Sequence, residues 1–248
     1  MLTSLNYKIS IIPNLELYKD FMSYILKFDI NIETIQTFLL TSIPLNKTLS
    51  SNIIIQNSCI NPFQQKNNER PSNFNFAFEL CPNNQIFLIG EIIQVIRKFK
   101  IKLYISLNFE KFKYIGKIES NFLRNEFIFY LGDNKFNYKK NMEICYHINL
   151  FGLFGLRKIN VNILDNDQKY INQIPEWSLE YKTFELSFNN RVRLRSFKNF
   201  ILTDLNGISI LQCGKIDNNT YALDFQNPLA PIQAFVIGIT SVINKITC

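Results

Sequence analysis

Short apolar runs separated by polar residues fill the chain from about residue 50 to residue 225. Most of these runs are four to seven residues long, rich in Ile, Phe, Tyr and Val, and bounded by Asn, Asp, Gly or Pro, as is typical of β-strands. Many short strands in succession predict an antiparallel barrel or sandwich. The predicted strands cover residues 74–80, 86–89, 101–107, 114–118, 127–131, 142–148, 159–164, 183–188, 197–202, 208–213 and 220–225, after a β-branched run at residues 53–55.

The spacing of apolar residues changes from strand-like to helical before residue 45. Apolar positions recur at roughly helical spacing over residues 14–41, with a distinct run over residues 32–40, and Pro44 ends the pattern. A polar, proline-containing stretch at residues 61–73 predicts a surface loop. We interpret residues 1–45 as a short helical extension and residues 46–248 as one strand-rich domain.

The stretch from residue 231 to residue 244 is apolar on every side at helical spacing and carries no charge before Lys245. Such a helix cannot lie on a wet surface and must be enclosed. It is also shorter than the roughly 20 apolar residues that span a bilayer. A large barrel has a lumen too wide for strand side chains alone to fill. We therefore predict that this helix fills the centre of the barrel.

The chain is basic, with 27 Lys and Arg against 20 Asp and Glu and a formal net charge of +7. This excess suits an anionic partner such as nucleic acid or an acidic membrane face. Period-two spacing predicts that Arg191, Arg193 and Arg195 share one face of a strand. Such stripes are either solvated faces or, where several converge, sites for phosphate oxygens. The other basic positions of interest are Arg97, Lys98, Lys100, Lys102, Lys111, Lys113, Lys117, Lys135, Lys139 and Lys140.

Motifs for catalysis, metals or nucleotides are missing from the sequence. His147 is the single histidine, and Cys145 precedes it by two positions on a predicted strand, so a Cys-His pair is conceivable. A strand histidine with a satisfied hydrogen bond is the simpler interpretation. The five cysteines form no CxxC pair, and no glycine-rich phosphate loop occurs, so we predict no metal and no cofactor.

An ordered set of motifs in the chain resembles the Tubby-like C-terminal domain over about residues 50–248. The strongest part is the last third. Its matching segments are Asn190-Arg191-Val192, SFKNF at 196–200, QCGKI at 212–216, YALDF at 221–225, Pro228-Leu229, Gln233-Ala234-Phe235 and KITC at 245–248. Upstream matches are YIGK at 114–117, SNFL at 120–123, Cys145-Tyr146 through Asn149, Gly152, Gly155, Arg157 and Lys158, and Pro175 with Trp177.

The resemblance implies a mainly β fold, a closed antiparallel barrel of about 12 strands around a central hydrophobic C-terminal α-helix. It implies a protein that is not an enzyme. Members of the family bind membrane phosphoinositides, especially phosphatidylinositol 4,5-bisphosphate, and act as lipid-tethered adaptors in trafficking, often toward cilia, or in signalling. The expected location is therefore cytoplasmic and peripheral at the plasma membrane or cilium, with protein cargo or trafficking partners.

The resemblance also places a lipid site on particular residues. Lys117 matches the lysine of the family's YIGK run, and Lys102 matches the polar residue that precedes the family's YLIS run, here Leu103 to Ser106. Lys139 or Lys140 falls near a further family arginine. Where the family has an arginine two positions after the YIGK lysine, this chain has Glu119. A carboxylate beside phosphates is repulsive, and Lys102 is expected to compensate for it in part.

Three other hypotheses remain open from the sequence. A degenerate Tubby-like domain would keep the fold and act through protein contacts without lipid specificity. A nucleic-acid-binding regulator would use the same basic groove, although no base-reading motif is visible. A relative of the phospholipid scramblases would place the terminal helix in a bilayer, which its short apolar length disfavours.

Overall fold

Twelve antiparallel strands close into a barrel in the computed structural model, which describes residues 31–56, 75–81, 84–95, 98–107, 109, 111–132, 137–147, 157–188 and 191–244. The predicted helical positions 14–30 and the predicted loop at residues 61–73 lie outside these residues. The helices are α1 (Ile32–Leu40) and α2 (Pro231–Ile243). The strands are β1 (Thr48–Ile55), β2 (Phe76–Leu80), β3 (Gln85–Val95), β4 (Lys98–Leu107), β5 (Lys111–Ser120), β6 (Glu126–Leu131), β7 (Lys139–His147), β8 (Lys158–Ile163), β9 (Gln168–Asn172), β10 (Glu176–Ser178), β11 (Thr183–Glu185), β12 (Phe200–Thr203), β13 (Ser209–Lys215) and β14 (Thr220–Gln226).

Neighbouring strands of the wall mostly follow one another in the chain. Strands β2 to β9 pair in chain order, and β12, β13 and β14 continue the wall. Strand β1 closes it by pairing with both β14 and β2. Strands β10 and β11 form a separate two-stranded hairpin between β9 and β12. The prediction of a closed antiparallel barrel of about 12 strands is confirmed.

Alternation along each strand divides the wall into an inner and an outer face. In β6, Phe127, Phe129 and Leu131 are buried, while Ile128 and Tyr130 are only partly covered. The inner side chains of the wall join one continuous hydrophobic core. A few polar side chains of the wall, such as Asn141, are buried as well, but the candidate site lies on the outer face.

Helix α2 fills the centre of the barrel, as predicted. Phe235 is 0% exposed, and its ring meets that of Phe78 edge-on, with centroids 5.7 Å apart. A Cβ atom added at Gly238 would lie 2.3 Å from Ile53 Cδ1, so any larger residue would force the end of the Ile53 side chain to move where β1 approaches the helix. Within the described part of the chain, no helix is both long and apolar enough to cross a membrane.

Cations from the barrel wall cap the C-terminal end of α2. Arg157 donates to the carbonyl oxygen of Ser241 at 2.8 Å and to its Oγ at 3.0 Å. Lys198 Nζ donates to the carbonyl oxygen of Val242. Burial, and secondarily the charge of Arg157, lowers the pKa of Lys198. Positive groups at this end of a helix stabilise it by about 0.3–1 kcal/mol each, because they satisfy its free carbonyls and its dipole.

Helix α1 packs on the same core as the barrel. Asn31 caps it, since its Oδ1 accepts from the backbone N–H of Thr34 at 2.8 Å. Its inward residues Ile35, Phe38 and Leu39 are buried in the cluster that surrounds α2. The helical prediction for residues 32–40 is confirmed, while the domain boundary at residue 45 stays a prediction.

The prediction that Arg191, Arg193 and Arg195 alternate along a strand is wrong. Residues 191–199 contain no strand. The Arg191 guanidinium forms an ion pair with Asp224 and donates to the carbonyl oxygen of Ser51 at 2.9 Å. Its side chain is thus committed to fastening this segment to the barrel, and the three arginines do not form one basic face.

A glycine in β13 explains why the segment after residue 190 lies so close to the wall. A Cβ atom at Gly214 would meet Val192 Cγ2 at 2.5 Å, so a larger residue there would expel the segment. The predicted strand at residues 197–202 begins only at Phe200, and the one at 183–188 ends at Glu185. Strand β9 was not predicted, because its sequence QKYIN carries just two apolar residues.

We expect Phe235→Asp to prevent folding. The substitution places a carboxylate at a position with 0% exposure, and the loss should exceed about 4 kcal/mol of the free energy of unfolding. Soluble yield and the thermal transition in far-ultraviolet circular dichroism would measure this loss. Leu205→Asp, at a position that is 73% exposed, is the matched control. A Phe235→Asp protein that stays soluble and melts like the parent would contradict the central position of α2.

Candidate functional site

Three of the lysines selected from the sequence, Lys102, Lys117 and Lys140, lie on the outer face of the sheet formed by β3 to β7. In the strand register, Glu91, Lys102, Lys117, Tyr130 and Lys140 stand side by side on five consecutive strands. We call these five residues the basic row. Strands are about 4.8 Å apart, so the row is about 20 Å long, and side chains directly opposite one another are in reach of contact.

Glu119 lies between Lys100 and Lys117, two residues along β5 from the Lys117 position of the basic row. Its Oε1 is 3.0 Å from Lys100 Nζ and 2.9 Å from Lys117 Nζ. Partial burial raises the pKa of Glu119, but the hydrogen bonds from Lys117 and Lys100 outweigh it and set the pKa below its usual range. Glu119 therefore carries its charge at neutral pH. Lys102 forms no ion pair with any of the residues that the structure describes.

Four tyrosines form a connected cluster beside Lys117, and two of them contact its ammonium group. Lys117 Nζ lies 4.2 Å from the ring centroid of Tyr138 and 5.2 Å from that of Tyr130, within the range of cation–π attraction. The hydroxyl oxygens of Tyr138 and Tyr114 are 2.7 Å apart, and the Tyr114 ring meets that of Tyr104 edge-on. We call these four residues the tyrosine frame.

Burial keeps part of the tyrosine frame protonated. It is the main cause that raises the pKa of Tyr104 and of Tyr114 far above the usual range, with Glu91 adding to the effect at Tyr104. The Tyr104 hydroxyl donates to Glu91 Oε2 at 3.2 Å. Both hydroxyls thus remain hydrogen-bond donors at any physiological pH.

The frame was missed by sequence reasoning. Tyr104 could have been found, because it follows Lys102 by two positions on one strand. Tyr138 comes from the connection before β7, and no strand pattern places it beside Lys117.

Lys139 and Lys140 point to different surroundings although they are adjacent in sequence. Lys140 belongs to the basic row and forms an ion pair with Glu143. That hydrogen bond is the main cause that raises the pKa of Lys140. Lys139 forms an ion pair with Asp165, whose side chain is only 6% exposed. The Asp165 carboxylate also accepts a hydrogen bond from Asn141 Nδ2 at 2.6 Å. The structure therefore brings together Lys102, Lys117 and Lys140, while the Lys139 ammonium group is held by Asp165.

The Cys-His pair that the sequence left open is not formed. His147 Nε2 lies 2.8 Å from Asn160 Nδ2, on the neighbouring strand. Burial, with the charge of Glu126 second, raises the pKa of the Cys145 thiol, which opposes thiolate chemistry. Among the described residues, no group of three or more His, Cys, Asp or Glu is placed to hold a metal ion.

The arrangement offers clustered donors on an open surface. The Lys117 side chain is 23% exposed and that of Lys100 is 35% exposed, so both remain accessible from solvent. Ammonium groups on neighbouring strands give charge-assisted hydrogen bonds to phosphate oxygens. The chemistry that this face suits is the binding of a phosphorylated group.

The model of the Tub family matches residues 158–244, from the start of β8 to the end of α2. Tubby-related protein 3 of Mus musculus is 26% identical over 214 residues, which cover 67% of this chain and 46% of the mouse protein.

Two further relatives match shorter parts more closely. Tubby protein homolog 1 of Caenorhabditis elegans is 33% identical over 95 residues, 38% of this chain and 22% of the nematode protein. Tubby-related protein 4 of Mus musculus is 37% identical over 75 residues, 30% of this chain and 5% of the relative. The chain thus matches less than half the length of each of these relatives. With the closed barrel around α2, the family-model match and these similarities support the assignment of the chain as a divergent Tubby-like member.

Proposed function

We propose that the chain binds phosphoinositide headgroups of the phosphatidylinositol 4,5-bisphosphate type through Lys102 and Lys117, with Lys140 assisting. The observation that carries the proposal is that Lys102 and Lys117 are direct neighbours on the outer face. The tyrosine frame then holds the Lys117 ammonium group in place. Lys139 has the weaker claim, because its ammonium group is paired with Asp165.

A bound phosphate must compete with Glu119 for the ammonium groups of Lys100 and Lys117. Glu119 supplies one negative charge to these two cations. A phosphate monoester carries about −1.5 to −2 and three acceptor oxygens, so it is the stronger partner for the same donors. Competition of this kind lowers affinity without abolishing it. Lys102, which forms no ion pair with any described residue, gives the phosphate a first contact.

The role that follows is that of a peripheral adaptor and not of a catalyst. In this proposal the chain is held at the cytoplasmic face of the plasma membrane, or of the cilium, and carries protein partners in trafficking or signalling. The hairpin β10–β11 offers a surface for such a partner, because Trp177 is 52% exposed, Leu179 84% and Tyr181 59%.

That hairpin also favours a second candidate function, a domain that works through protein contacts alone. Trp177 and Phe184 stack edge-on across it, with ring centroids 5.0 Å apart. A two-stranded hairpin is marginally stable in water by itself, so a partner that covers it would stabilise it. Lipid specificity separates the two candidates, since the second predicts none.

We expect Lys117→Ala to weaken binding to vesicles that contain phosphatidylinositol 4,5-bisphosphate by about tenfold or more, because charge-assisted contacts to phosphate are lost. Vesicle sedimentation across lipid concentrations would measure this change. Lys47→Ala is the control, since Lys47 is exposed and lies at the turn before β1. Equal binding to vesicles with and without the phosphoinositide, or an unchanged Lys117→Ala variant, would refute the proposed site and favour the second candidate.

Removing the charge of residue 119 should have the opposite effect. Glu119→Gln frees the ammonium groups of Lys100 and Lys117 and should tighten binding to the same vesicles about threefold to tenfold. Glu33→Gln makes the same charge change on the exposed side of α1 and controls for net charge. The two variants would be compared in one sedimentation series. Identical gains in both would show that overall charge, and not the Glu119 contact, limits binding.

A further inference from the structure

The turn between β5 and β6 presents two large apolar side chains to solvent. Phe122 is 77% exposed and Leu123 is 59% exposed. The turn, residues 121–125, follows the strand that carries Lys117 and Glu119. We call it the apolar turn. Scattered single apolar residues on a surface are ordinary, but two adjacent ones at the tip of a strand pair beside a cationic face are a candidate contact surface.

The apolar turn is braced from both sides. Asn121 Oδ1 accepts from the backbone N–H of Asn125 at 3.1 Å, and Asn121 Nδ2 donates to Asn125 Oδ1 at 2.6 Å. Asn244, just after α2, donates to the carbonyl oxygen of Arg124 at 2.9 Å. The Arg124 guanidinium lies 4.4 Å from the centroid of the Phe99 ring. The residues around the tip are thus fastened to the barrel.

Bracing makes the exposure of the tip a fixed property of the fold. Arg124 adopts φ = 56°, a conformation that side-chain-bearing residues disfavour, and so the turn keeps its shape against local strain. Phe122 and Leu123 are held outward and lose little conformational freedom when they are covered by another surface.

The position of the tip relative to the basic row fits a membrane surface. Lys117 lies three residues before the end of β5, which is about 10 Å along the strand. Interfacial apolar groups enter a bilayer about 5–10 Å below the headgroup boundary. A bilayer met by the tip would therefore bring its phosphorylated headgroups to the level of Lys100, Lys117 and Lys102.

We propose that Phe122 and Leu123 insert into the acyl boundary of an anionic bilayer while the basic row contacts its phosphorylated headgroups. The inference rests on the proposed function and adds to it a second, apolar anchor. Charge complementarity favours a bilayer over a protein partner, because the lysines beside the turn match an anionic surface and a net charge of +7 attracts one.

The single tryptophan of the chain allows a direct test of insertion. In a Trp177→Phe background, Phe122→Trp would place the one indole at the tip. Vesicles of phosphatidylcholine with phosphatidylserine and phosphatidylinositol 4,5-bisphosphate should then shift its emission to the blue, and lipids with a nitroxide on the acyl chain should quench it. Leu205→Trp in the same background is the control. Leu205 is 73% exposed in the β12–β13 turn, at the opposite end of the barrel, and its emission should not change.

A binding comparison separates the apolar anchor from the headgroup site. The double variant Phe122→Asn, Leu123→Asn should bind these vesicles about tenfold or more weakly, because two side chains no longer leave water. Its affinity for soluble inositol 1,4,5-trisphosphate, which has no acyl chains, should be unchanged. Lys117→Ala should weaken both. Leu205→Asn should weaken neither.

Two results would overturn the inference. Vesicle binding without a blue shift or quenching of the Phe122→Trp indole would exclude insertion and leave the proposed headgroup site standing. Failure of the parent protein to bind either the vesicles or inositol 1,4,5-trisphosphate would overturn the proposed function and the insertion together. A tip that binds a protein while the parent chain binds neither ligand would count as this second result and would overturn both proposals.

Discussion

The enclosure of α2 is the constraint on which the rest of the structure depends. A helix without charge fills the barrel, yet its polar groups must still be paired, since each unsatisfied one costs about 1–3 kcal/mol. The wall supplies the partners. Thr240 Oγ1 lies 2.9 Å from the Tyr146 hydroxyl, and Gln233 Nε2 donates to Asn141 Oδ1 at 3.4 Å. Together with the Arg157 contacts to Ser241 at the C-terminal end, these contacts fix the depth and rotation of the helix, and they leave the inner face no room for further charge.

The same constraint shapes the outer site through irregularities in the wall. The register of β6 and β7 shifts beside Tyr130, and the extra residue is Asn141, which is buried and reaches α2. As a result Lys140 stands beside Tyr130 in the basic row. A second shift, between β4 and β5, sets Tyr114 opposite Tyr104. Bulges change the direction of side chains in this way. The bulge that lets Asn141 contact α2 therefore also helps to place the side chains of the outer face.

Much of the fold could be predicted because it follows from short-range patterns. Period-two alternation alone turns Lys102 and Lys117 outward, and an uncharged run of helical spacing identifies α2. The rest depends on which residues face each other across strands, and one inserted residue changes that. Two contacts depend on such cross-strand placement: the ion pair between Lys100 and Glu119, and the Tyr138 ring beside the Lys117 ammonium group. The arginine stripe failed for a related reason: its period is strand-like, but Asp224 and the space above Gly214 hold Arg191 and Val192 in an irregular segment.

The charge balance of the site bears on which lipids the proposed function would select. Lys100, Lys102, Lys117 and Lys140 outnumber the three nearby carboxylates, of Glu91, Glu119 and Glu143, by one, so the cluster keeps one net positive charge. A phosphodiester with a single negative charge offers Lys117 no more than Glu119 already does. A phosphomonoester offers about −1.5 to −2, and two of them on one inositol ring offer more. In the proposed function, Glu119 would therefore set a threshold: it would discriminate against singly charged lipids and leave multiply phosphorylated headgroups able to displace it.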